Sequence, residues 1–296
     1  MCHQRLIILL CCALLICLPV FANADINMQL AEVTKRMAGD LDEAEELIEE
    51  VMASYPDNAA AHFLCGQIMG QQASNAIFSA MSYAGKSLDC FKKAVELAPE
   101  NTDYRLGLMI YYLSAPGIAG GDTDLAWEHA SAIEDLDALA GIRAKLRFYR
   151  QTENEQGYSE LLHGAQRAYA DHAEFHYLLG LHLQQQEQFA PALEAFNQAV
   201  AANIDEEQHF HLSALYQIGR NAVFSEQFTE QGTAALQRFI DIGPDKPNLP
   251  TVPWAHFRLA QLYKHSNNLE ALTHHLALAK TSADDTLQKS IKAAFD

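Results

Sequence analysis

Histidine pairs, two cysteines and one glycine-rich turn are the residues whose types and spacing could do chemistry in this chain. His172 and His176 stand four apart, His209 and His211 two apart, and His274 and His275 are adjacent. Converging imidazoles of this kind can hold zinc or copper. Adjacent residues on a helix point in different directions, however, and no His-Glu-x-x-His pattern is present, so the histidines read as surface or packing residues and no metal is expected. The run Ala115-Pro116-Gly117-Ile118-Ala119-Gly120-Gly121 leads to Asp122 or Thr123 as a helix N-cap. A glycine-rich turn onto a helix N-terminus can bind an anion. This one lacks the Lys-Ser/Thr of a phosphate loop and follows no strand, so it reads as a long structural turn. With no Gly-x-Ser-x-Gly elbow, no paired-glycine dinucleotide fingerprint and no Cys-x-x-Cys, neither catalysis nor a cofactor is expected. Cys65 and Cys90 lie in apolar contexts, where they can form a disulfide in an oxidising compartment or stay as buried thiols.

The compartment follows from the start of the sequence. Arg5 supplies a positive n-region, Leu6–Val20 an apolar run too short to span a bilayer comfortably, and Ala22-Asn23-Ala24 a small-x-small cleavage site. A secretory signal peptide over residues 1–24 is expected, leaving a mature chain of residues 25–296. Cys2, Cys11, Cys12 and Cys17 leave with it, so only Cys65 and Cys90 remain. The absence of any Asn-x-Ser/Thr acceptor leans toward a bacterial periplasm. The full chain carries 20 basic and 38 acidic residues, a net charge of −18, and losing Arg5 makes it one unit more negative. Phosphate backbones and anionic headgroups need a basic footprint, so neither nucleic acid nor direct membrane insertion is expected.

The elements that position these residues repeat. Phe63-Leu64-Cys65-Gly66 returns as Tyr104-Arg105-Leu106-Gly107, Tyr177-Leu178-Leu179-Gly180, Tyr216-Gln217-Ile218-Gly219 and Phe257-Arg258-Leu259-Ala260, each inside an apolar helical pattern. In the clearest unit, residues 173–204, His176, Leu179, Gly180 and Leu183 form one stripe and Ala192, Phe196 and Ala199 another, while Pro191 sits in the first turn of the second helix. This unit resembles the tetratricopeptide repeat, a helix-turn-helix of about 34 residues. Similar pairs are expected over residues 27–58, 59–101, 102–137, 138–171, 208–244 and 253–281, and residues 285–295 read as a capping helix. Relative to the repeat period, residues 73–85 carry an insertion. Pro244, Pro247, Pro250 and Pro253 mark an extended spacer over 244–253.

The resemblance implies an all-α, right-handed helical-hairpin solenoid of six to seven pairs. Its first helices would line a concave groove that binds a protein or peptide. It places Phe63, Tyr104, Tyr177, Tyr216 and Phe257 along that groove, with Leu108, Tyr112, Leu181, Arg220 and Phe224 further along the same helices. The Ala115–Gly121 run looks like a loop of exported bacterial members, which implies a setting in envelope assembly. A metal-binding or enzymatic protein on this scaffold and a self-associating structural protein are the competing readings.

Overall fold

The computed structural model describes residues 25–295, so the targeting segment expected over residues 1–24 lies outside the described residues. The described chain is built of α-helices: α1 over 25–37, α2 Leu41–Ser54, α3 Ala59–Asn75, α4 Ala80–Leu97, α5 Thr102–Ser114, α6 Thr123–Leu136 and α7 Ala138–Gln151. There follow α8 Glu155–Ala168, α9 Ala173–Gln185, α10 Phe189–Ala201, α11 His209–Ser225, α12 Thr229–Ile242, α13 Val252–His265, α14 Leu269–Ala279 and α15 Asp285–Phe295. The chain divides into two compact units between Asn154 and Glu155, with α1–α7 in the first and α8–α15 in the second.

Short polar residues set the helix starts. The side chains of Asp40, Asn58, Asn101 and Asp137 accept from a backbone N–H three residues on, and so open α2, α3, α5 and α7. Each satisfies a donor that the first turn leaves without an intrahelical partner. The paired helices then bury their apolar stripes against each other. Ala44, Ile48 and Val51 of α2 meet Ala61, Leu64 and Ile68 of α3 in unit 1, and Phe196 of α10 and Phe239 of α12 are fully buried in unit 2. Full burial of such a side chain stabilises by roughly 2–3 kcal/mol. The small residue of each tetrad permits the approach. A Cβ on Gly180 would lie 2.5 Å from the Phe196 ring, and one on Gly219 would lie 2.2 Å from Leu236.

The Ala115–Gly121 run is a structural turn. Gly117–Ala119 form a single 3₁₀ turn, Gly120 adopts φ of +89°, and a Cβ on Gly121 would lie 1.8 Å from the Ala115 carbonyl oxygen. The Tyr111 hydroxyl reaches the Ala119 carbonyl at 2.7 Å, and the Asp122 N–H donates to the Tyr112 carbonyl at 3.0 Å. Asp122 is the N-cap of α6. Its carboxylate accepts from the N–H groups of Asp124 and Leu125 at 2.9 and 3.0 Å, which are the donors an anion would need.

Cys65 of α3 and Cys90 of α4 are joined in a disulfide, with Cα atoms 5.9 Å apart. The inserted segment lengthens its own pair: α3 has 17 residues and α4 has 18. The proline-rich stretch differs from a fully extended spacer. It turns at Asn248, with φ of +67°, tucks Leu249 into the unit 2 core, and gives Pro253 to the first turn of α13. At the far end, Leu287 and Ile291 of α15 pack against Phe257 and Ala279, covering the last helix pair.

Candidate ligand-binding face in unit 2

In unit 2 the first helices α9, α11 and α13 lie side by side, and the tetrads fix which residues face away from their second-helix partners. One residue along a helix is a rotation of about 100°, so the aromatic that opens a tetrad and the residue after it point in different directions. On α11, Ser213, Gln217, Arg220 and Phe224 recur at helical spacing on one face. On α13, Trp254, Arg258 and Gln261 do the same.

Two guanidinium groups stand together on this face. The Arg220 guanidinium carbon lies 4.8 Å from the centre of the Phe224 ring and that of Arg258 lies 5.7 Å from the same ring. Arg258 also lies 5.8 Å from the Trp254 ring and 5.1 Å from the Phe257 ring. Its Nε donates to the Tyr216 hydroxyl at 3.3 Å and Nη1 donates to Gln261 Oε1 at 2.8 Å. Burial, and then repulsion from Arg258, hold the Arg220 guanidinium below its ordinary value. No ion pair to either arginine occurs among the described residues, although acidic residues outnumber basic ones by nearly two to one in the chain.

Two polar atoms at this place are buried without a partner: Arg220 Nε, a donor, and Gln217 Oε1, an acceptor. Such orphans are rare in a folded interior and each calls for an explanation. Tyr177 of α9 borders them. Burial raises its phenol, opposed by Gln217 and Ser213 through hydrogen bonding and by the Arg220 charge.

The ten residues expected in a groove divide between the units, and most serve packing. In unit 1, Leu108 and Tyr112 are buried, and Tyr112 stacks on His129 with ring centres 5.8 Å apart. Phe63 and Tyr104 pack on each other at 4.8 Å, and Phe63 fills the space beside Gly107. In unit 2, Tyr216 is buried against Phe239 and Phe257 against α15. These placements correct the expected row of open aromatics: Leu108, Tyr112, Tyr216 and Phe257 are buried in helix packing and present no surface to a partner. Tyr177 and Leu181 are half-buried, Arg220 is partly exposed and Phe224 is 45% exposed, so these four of the ten remain on the open face. Trp254 and Arg258, both partly exposed, join them without having been singled out in the sequence. For Arg258 the signal was present in its tetrad, whose second residue is charged in Phe257-Arg258.

The histidines do other work. His176 is buried, with Nε2 2.7 Å from the Ala170 carbonyl. His256 and His275 face each other, Nδ1 to Nδ1, at 2.9 Å. Among the described residues no group of three or more His, Cys, Asp or Glu is placed to hold a metal ion, and no helix is long and apolar enough to cross a membrane.

Searches of protein-family models and of curated proteins each returned no match for this chain. Solved structures do match. A tetratricopeptide repeat protein from Parabacteroides merdae aligns over 92% of this chain and 99% of its own length at 10% identity, with a TM-score of 0.51. The APC/C hetero-tetramer Cut9-Hcn1 aligns over 88% of this chain at 13% identity with a TM-score of 0.52, and this chain spans 47% of that neighbour. A human IFIT1 dimer with m7Gppp-AAAA aligns over 90% of this chain and 61% of its own at 15% identity, with a TM-score of 0.51. The chain has the helical-hairpin fold of tetratricopeptide repeat proteins.

Proposed function

We propose that this protein is a non-catalytic, exported scaffold that holds a carboxylate-bearing segment of another protein on the α11–α13 face of unit 2. The observation that carries the reading is the pair of guanidinium groups, Arg220 and Arg258, gathered on the Phe224 ring with no carboxylate partner among the described residues. Two guanidinium groups without an ion pair fit a carboxylate, which accepts from several N–H donors at once. The rings of Phe224 and Trp254 and the edge of Tyr177 add rigid apolar surface at low entropic cost, as hot-spot residues do.

A carboxylate ligand is compatible with the net negative charge of the chain. The chain's negative field acts at long range and is screened within about 8–10 Å at physiological salt, whereas the two arginines act at contact distance. The same field opposes a nucleic-acid reading of the arginine pair, since a phosphate backbone would meet two cations in a chain of net charge −18. Export is supported by the Arg5, Leu6–Val20 and Ala22-Asn23-Ala24 pattern, and a disulfide between Cys65 and Cys90 suits an oxidising compartment such as the periplasm. Envelope assembly is the setting this combination fits.

The test is crosslinking and affinity capture of the tagged protein from its native envelope, alongside an Arg220→Ala/Arg258→Ala variant whose helicity is checked by circular dichroism. One protein enriched with the wild type and lost with the folded variant is the expected result. Equal recovery of every protein by both would remove the arginine face from the account.

A further inference from the structure

Unit 1 holds a second site of opposite chemistry. A cavity of about 780 Å³ lies between α3, α4, α5 and the Ala115–Ala119 turn, within the size range of natural ligand sites. The insertion makes it: the added turns of α3 and α4 contribute Ala73, Ser74, Asn75, Ala80 and Met81 to the wall. No charged side chain lines it, in a chain whose residues are 20% charged. Between two lining residues of the insertion sit Ile77 and Phe78, 86% and 100% exposed, and between two of the turn sits Ile118, 85% exposed. Singly exposed apolar residues are ordinary, but three beside one uncharged cavity form an apolar approach to it.

The polar groups of the wall say what kind of occupant fits. Gln67, Gln71 and Asn75 stand at i, i+4 and i+8 on α3, all exposed, and their side chains make no hydrogen bond among the described residues. Four residues of helix rise about 6 Å. Two residues of extended chain rise about 6.6 Å. A row of primary amides at that interval can therefore meet every second peptide group of a strand laid along α3, each amide offering one donor and one acceptor. Side chains alternate across such a strand, so one set enters the uncharged cavity. An acyl chain would fill the same volume without using the three amides.

We infer that this cavity takes an extended, uncharged, apolar peptide segment of a partner protein, read through its backbone by Gln67, Gln71 and Asn75. The inference stands on unit 1 alone and is independent of the arginine face.

Its test uses the full mature chain and a labelled mixture of terminally blocked decapeptides with leucine, valine or phenylalanine alternating with serine, followed by fluorescence anisotropy. The wild type should bind saturably, Gln67→Ala/Gln71→Ala should weaken binding about tenfold, Ala73→Trp should abolish it by filling the cavity, and Arg220→Ala should leave it unchanged. The glutamine changes lie on an exposed surface and keep the test decisive if Ala73→Trp disturbs folding. Absence of binding by the wild type would overturn the inference. So would equal binding by the glutamine variant, or a dansyl fatty acid that displaces the peptides and binds both proteins alike, since an acyl chain does not use the amides.

Discussion

Arg220 and Arg258 bring two like charges to the same aromatic ring, an arrangement that costs free energy unless something offsets it. The faces of Phe224, Trp254 and Phe257 supply part of the offset, each such contact contributing about 0.5–2 kcal/mol depending on desolvation. A carboxylate would supply the rest, which is why the pair reads as a site waiting for a ligand. A different balance holds at His256 and His275. Their Nδ1···Nδ1 contact at 2.9 Å requires one ring to donate and the other to accept, so at least one stays neutral. Burial first, then the charges of His256 and His274, push His275 down to about 4. The unfolded value is near 6.5, so between these limits the unfolded chain takes up a proton that the folded chain resists. The stabilisation is complete above about pH 6.5 and is lost as pH falls through about 4. Urea unfolding followed by circular dichroism should therefore show unit 2 less stable at pH 5 than at pH 7.5. His275→Asn should flatten that dependence, and an unchanged pH profile in the variant would assign it to other groups.

At the scale of elements, the Cys65–Cys90 bond clamps the one helix pair that the insertion has lengthened. It closes a loop with a sequence separation of 25 residues. Loop-closure entropy gives such a bond about 3 kcal/mol of stabilisation through the unfolded state. Reduction should lower the stability of unit 1 by about that amount and leave unit 2 unaffected. Denaturant curves with and without dithiothreitol, compared with those of Cys65→Ser/Cys90→Ser, measure it. The helix pairs were legible in the sequence because two independent signals coincide. Apolar stripes recur at helical spacing on both helices of a unit, and small residues such as Gly180 stand where the helices must touch. The face of each helix was less legible. A repeated aromatic marks a place that matters, but repetition alone does not separate packing from display. Tyr216 and Phe257 went inward, Tyr216 against Phe239 and Phe257 against α15, while Arg258, the residue after Phe257, stayed partly exposed. The cavity was legible only as an insertion. Its walls depend on the Ala115–Gly121 turn folding back toward α4, which the sequence marked as irregular without showing where it leads.

At the scale of the whole molecule, an acidic chain carries two local surfaces that its net charge does not describe. One is cationic and aromatic, in unit 2; the other is uncharged and apolar, in unit 1. The carboxylate contact at the first of these is the central claim. The most direct test is a fluorescence anisotropy titration of the mature protein with peptides captured from the partner or designed around Asp and Glu, each matched with its Asn or Gln isostere. The wild type should prefer the carboxylate peptide by about tenfold or more, the range of a charge-assisted hydrogen bond. Arg220→Ala/Arg258→Ala should bind both members of each pair equally. Equal affinities for carboxylate and amide peptides in the wild type would contradict the account.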